Sequence, residues 1–178
     1  NKTIVYTVKN NLFVNRNGKT VAITDDENAA IVNGQAVHRS EFGIDGGIFA
    51  APNSNKIAFY RMDESMVTDY PIIDWAQTPA KNVNIKYPMA GNTSHQVTLG
   101  VYDLNSQKKT FLNIEGDKEQ YLTAVTWSPD SKYIFVGVLK RDQNHLQMNQ
   151  YDAVSGNLAK KLFEETSDKY VEPQHPLL

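Results

Sequence analysis

Two stretches of this chain carry one pattern. Phe49 to Tyr60 and Thr126 to Gly137 each run from an apolar strand end, through a polar turn containing a proline, into a second apolar strand. The turn has a local cause, because proline presets φ at the second position of a type I turn and Asn53 or Asp130 is tolerated at the third. A strand pair recurring in this way is how successive blades of a β-propeller begin. The expected fold class is all-β: a partial β-propeller of about two full four-stranded antiparallel blades plus part of another. A closed ring needs about four to eight blades, so the 178 residues are expected to be one piece of a larger propeller.

Strand signals divide this single domain into four segments. Residues 1–34 read as a partial blade, with Thr3 to Val8, Leu12 to Val14 and Lys19 to Thr24 separated by Asn and Gly turns. Residues 35–118 read as a blade with a long inserted arm. The prolines Pro52 and Pro129 lie 77 residues apart, against about 40–50 for compact propeller repeats, so roughly 30 residues are extra. They are expected in an extended excursion between Met66 and Gln96. Residues 119–165 read as the cleanest blade, and 166–178 as the approach to a further one, because Pro173 and Pro176 remove ladder donors from any central strand. Helical periodicity with caps is nearly absent.

Several function classes are disfavoured by composition. The longest basic clusters are Lys108-Lys109 and Lys160-Lys161 in a chain of net charge −2, which argues against nucleic acid as a partner. No apolar run approaches the about 18 residues of a membrane span, and no signal peptide opens the sequence, so a signal would have to lie outside it. There is no cysteine, which excludes disulfides and thiolate chemistry. His38, His95, His145 and His175 lack metal-ligand spacing and read as hydrogen-bonded turn or surface residues. Neither a metal nor a cofactor is expected.

Hydrolase machinery is missing too. No Gly-x-Ser-x-Gly elbow occurs, and Ser155 lies in what reads as a surface hairpin. Asp25-Asp26 and Glu164-Glu165 would alternate faces on strands and read as solvated. Asp63-Glu64 follows a buried strand and is less readily dismissed. The enzyme question therefore stays open from the residues alone.

A series of segments in order is more specific than any one of them. Asn10 to Val14, Gln35 to Ile44, Ala58 to Ser65, Lys86 to Gly91 and Tyr170 to Pro173 together resemble the N-terminal propeller domain of dipeptidyl peptidase IV-type serine exopeptidases, in the prolyl oligopeptidase group. The resemblance implies a parent whose eight-bladed propeller caps a downstream α/β-hydrolase domain carrying the Ser-Asp-His triad, and which releases N-terminal dipeptides with proline or alanine second. It implies a periplasmic or extracellular location and peptide as substrate. Its propeller would contribute adjacent glutamates that hold the substrate's free amine; here that pair falls on Ser40-Glu41, so only Glu41 carries over. A charge-assisted hydrogen bond suits an α-ammonium, whereas Ser40 could only accept through its hydroxyl. The competing reading makes Glu41 a salt-bridged loop residue, with Arg39 or Arg61. Arg61, Asp63 and Glu64 read as an ion-paired cluster supporting that loop. The resemblance also implies that the arm takes part in homo-oligomer contacts, with Tyr70, Ile72 and Trp75, together with Pro71 and Ile73, as apolar anchors; packing onto the propeller's own flank is the alternative. The family's Asn-Pro after Ala-Gly is replaced by Ser94-His95. A rival to the whole reading is a non-enzymatic propeller scaffold for protein–protein interaction.

Overall fold

In the computed structural model, which describes residues 3–175, the chain is built almost wholly from antiparallel strands. The first sheet contains β1 (Thr3–Val8), β2 (Asn11–Arg16) and β3 (Lys19–Ala22). The second is centred on β6 (Lys56–Asp63), which pairs on one side with β9 (Gln96–Asp103) and through it with β10 (Lys109–Phe111). On its other side β6 pairs with two short strands, β4 (Ile31–Asn33) and β5 (Ile48–Ala50). β4 lies in the first of the segments drawn from sequence, yet its hydrogen bonds place it in the second sheet. The third sheet runs β11 (Tyr121–Trp127), β12 (Tyr133–Leu139), β13 (His145–Asp152), β14 (Leu158–Thr166). These are the expected partial propeller: two complete blades and three strands of another. The 166–178 segment extends past the described residues, so Pro176 is not placed.

The two proline turns fold alike. Ser54 and Ser131, two residues after each proline, both take a left-handed φ, 56° and 59°. Each donates its N–H back three residues, Ser54 to Ala51 O and Ser131 to Ser128 O. The turns also touch: the Asn53 N–H donates to Ser131 Oγ and Lys56 Nζ to Ser131 O. A second repeated device lies at the same ends of these blades, beside the proline turns, since Asp103 pairs with Lys56 and Asp152 with Tyr133 across the strands. Asp103 Oδ1 accepts from the N–H of Asn105 and Ser106, and Asp152 Oδ1 from those of Val154 and Ser155. These Asp-x-x-Ser turns are 49 residues apart, a compact blade period. The longer spacing between the prolines is thus explained by an insertion between β6 and β9.

Alternation along β6 sorts the core. Ile57 and Phe59 pack with Leu12, Val14 and Tyr102 between the first and second sheets. Ala58 and Tyr60, on the opposite face, join Leu122, Ile134 and Val136 between the second and third. Tyr60 Oη donates to Leu122 O at 2.8 Å and Trp127 Nε1 to Phe49 O at 2.9 Å, so the second and third sheets are fastened by side chain to backbone bonds. A smaller cluster of Phe42, Tyr121, Leu139, Leu146 and Val171 closes one end of the third sheet.

Candidate recognition turn and arm

The inner strand of the second sheet is interrupted. β4 ends and β5 begins on either side of Tyr60, whose carbonyl accepts the Gly34 N–H at 2.8 Å and whose N–H donates to Gly47 O at 3.1 Å. Residues 35–46 thus leave and rejoin the sheet at one residue of β6. The neck is tight: a Cβ on Gly47 would stand 2.1 Å from Gln35 O, so only glycine permits this closure.

Within this loop His38, Arg39 and Ser40 are consecutive left-handed residues, with φ of 51°, 58° and 60°. Ser40 N–H donates to Val37 O and Glu41 N–H to His38 O, making one left-handed turn. Such a conformation costs about 1–2 kcal/mol per non-glycine residue and persists only where surrounding contacts impose it. Those contacts are present. Leu122 N–H donates to His38 Nε2 at 3.2 Å, and His38 Nδ1 lies 2.9 Å from His95 Nε2. The Arg39 guanidinium sits 4.5 Å from the Tyr87 ring centroid and donates to Lys86 O at 2.8 Å. Beyond the turn, Phe42 is buried against Tyr121, and its carbonyl accepts the Thr123 hydroxyl at 2.5 Å.

Ser40 and Glu41 emerge from this turn exposed. Ser40, Asp45, Phe49, Tyr60, Val125 and His175 are among the residues lining a cavity of about 660 Å³ between the inner strands of the two blades. Among the described residues the Glu41 carboxylate has no ion pair: Arg39 is engaged at the arm, and Arg61 pairs with Asp26 at 2.6 Å. That Asp26 carboxyl is held below its ordinary range, first by the Arg61 hydrogen bond. Arg61, Asp63 and Glu64 form no ion pair with one another among the described residues, because Arg61 is taken by Asp26 and Asp63 by Ser65. Asp63 Oδ1 accepts from the N–H and hydroxyl of Ser65. Glu64 is half-buried; burial pushes its carboxyl up, while nearby Arg39 and Lys86 oppose that shift.

The insertion is a two-stranded ribbon, β7 (Asp69–Asp74) and β8 (Lys81–Lys86). Its pairing sets Tyr70 opposite Ile85 and Ile72 opposite Val83, giving one apolar face. Tyr70, Ile72 and Trp75 are 43%, 44% and 78% exposed, so they are not packed onto the propeller's flank. At the base, Lys86 pairs with Asp69 at 3.0 Å and donates to Val67 O.

Histidine placement departs from the sequence expectation in one respect. His38 is a hydrogen-bonded turn residue, as expected, but it and His95 are buried and joined rather than scattered, because the β6–β9 insertion carries His95 back against the turn. The replacement of the family's Asn-Pro by Ser94-His95 was the available signal. Burial lowers both rings, His38 well below its ordinary value and His95 to about 4, with Arg141 adding repulsion. Among the described residues, no group of three or more His, Cys, Asp or Glu side chains could hold a metal, and no helix is long and apolar enough to cross a membrane.

The blades, the interrupted inner strand and the projecting ribbon together define a segment of a β-propeller. The chain belongs to the family described as dipeptidyl peptidase IV (DPP IV) N-terminal region, whose model matches residues 1–178. Among solved structures, it is similar to one named as a dipeptidyl aminopeptidase IV of Bacteroides ovatus, with a TM-score of 0.90 and 45% identity, covering 98% of this chain and 24% of that one. Porphyromonas gingivalis dipeptidyl peptidase 4 shares the fold, with a TM-score of 0.87 at 22% identity over 96% of this chain and 25% of that one. A protein named as dipeptidyl-aminopeptidase B in Phaeosphaeria nodorum is 28% identical over 93% of this chain. The chain spans 20% of that relative's length.

Proposed function

We propose that this region is the substrate-recognising part of the propeller of a dipeptidyl peptidase IV-like serine exopeptidase, with Glu41 holding the peptide's free amine. A downstream α/β-hydrolase domain of the same parent supplies the triad, and the propeller gates access to it. One observation carries the reading: a strained turn, imposed by buried contacts, presents an exposed carboxylate while both neighbouring arginines are engaged elsewhere. A fixed anion at a set distance from the nucleophile turns an exopeptidase into a ruler that cuts after the second residue, and desolvation strengthens its bond to an ammonium. Ser40, beside it, contributes a neutral acceptor where the family carries a second charge. Arg61, Asp63 and Glu64 support the turn indirectly, through the Asp26 pair and the entrance to the arm. Tyr70, Ile72 and Trp75 supply the face through which two parents associate. The parent acts outside the cytoplasm, which cell fractionation would check.

The test is Glu41→Gln in the full-length parent. Losing a charge-assisted contact of about 1.5–3 kcal/mol lowers kcat/KM for a free-amine Ala-Pro or Gly-Pro chromogenic amide roughly 10- to 150-fold. The poor turnover of the N-acetylated analogue stays unchanged. An intact preference for the free amine would make Glu41 a structural residue.

A further inference from the structure

We propose that the buried His38–His95 pair is a positioning device for the amine-recognising turn, holding Ser40 and Glu41 in their presenting conformation through one directed hydrogen-bond chain. This rests on the amine-binding role of Glu41 given above.

The chain has one self-consistent proton arrangement. Leu122 N–H can only donate, so the His38 Nε2 it reaches is unprotonated. A neutral His38 then carries its proton on Nδ1 and donates it to His95 Nε2, 2.9 Å away, leaving His95 protonated on Nδ1. Burial and the nearby Arg141 keep both rings neutral. The tautomer of each ring is thereby set by its neighbour.

The chain ends on separate parts of the fold. Leu122 belongs to β11 of the third blade, His38 opens the left-handed turn, and His95 immediately precedes β9, where the arm returns. Three consecutive left-handed residues are unfavourable in isolation, so the turn needs an external clamp. His38 supplies it from the buried side, while Arg39, stacked on Tyr87, supplies it from the arm's base. Removing the acceptor at His95 strands a buried Nδ1–H and releases the turn to relax. Glu41 then spends less of its time in the presenting geometry, and apparent affinity falls by that fraction.

The test compares two substitutions in the full-length protein. His95→Leu keeps the volume and removes the acceptor; His95→Gln places an amide oxygen near the position of Nε2. The expected result for His95→Leu is a KM for the free-amine amide raised roughly tenfold, the size of one stranded buried donor, with kcat nearly unchanged and N-acetylated turnover unaltered. His95→Gln is expected to restore KM. A purely structural role would instead lower the active fraction, and so kcat, at constant KM. If His95→Leu does not fold, His95→Asn replaces it, because its shorter amide falls short of His38. An unchanged KM in the acceptor-removing variant, or a KM that glutamine fails to restore, overturns the proposal. Glu41→Gln run alongside separates the two readings. If it weakens amine binding while His95→Leu does not, only the positioning role falls; if it leaves amine binding intact, both fall.

Discussion

Burial makes the His38–His95 pair a cost in acid as well as a clamp. An unfolded histidine titrates near 6.5, whereas native His95 resists protonation until about 4 and native His38 is also lowered. Between those values the unfolded state binds more protons, so stability falls as pH drops from about 6.5 towards 4. Above 6.5 the contribution is complete. The melting temperature is therefore expected to decline over that window, ahead of the loss from Asp26 and Asp103, whose unfolded carboxyls titrate near 3.8. His95→Gln should flatten part of the slope; an unaltered slope in a pH series of thermal melts would assign it to other groups. The pair could not be read from the sequence, since its members stand 57 residues apart and meet only through the arm's return. Glu41 was legible solely through the family resemblance. Its freedom from Arg39 and Arg61 was not, because their partners, Tyr87 and Asp26, are brought near by tertiary packing.

Turns and strand boundaries were far more legible, because their causes are local. The proline turns at Pro52 and Pro129 and the Asn-Gly hairpin at Asn17-Gly18 act through their own backbone preferences. The surplus between the two prolines also revealed an insertion, though not its shape: β7 and β8 contain Pro71 and alternating Asn, weak strand signals that pairing overrides. A two-stranded ribbon is only marginally stable alone, and this one keeps Tyr70, Ile72 and Val83 of its apolar face in solvent, with Ile85 half-buried. Association through that face is the expected outcome. Ile72→Asp with Trp75→Ala should shift the full-length protein towards monomer in sedimentation, since aromatic and aliphatic anchors dominate such contacts. Ser65→Ala, at the arm's entrance, is the control that leaves the face intact. An unchanged sedimentation profile in the double variant would remove the arm from the interface.

Blade faces govern the behaviour of residues 1–178 expressed alone. The second sheet is sandwiched, with clusters on both sides, and the third has one end closed by Phe42 and Val171. On the first sheet, however, Ile4 is 57% and Val8 48% exposed, on the face away from Leu12 and Val14. In a ring such a face is covered by the adjacent blade. Without that cover it should pair with a second copy, and the ribbon offers another route. Light scattering at about 100 μM, a concentration that populates weak contacts, is expected to show dimers or larger assemblies. Replacing Ile4 and Val8 with Lys should remove the blade-face route, and adding Ile72→Asp the ribbon route. A species that is monomeric before any substitution would mean that neither surface drives association. Monomer produced by the ribbon substitution alone would assign the contact to the arm and leave the exposed blade face without a role in assembly.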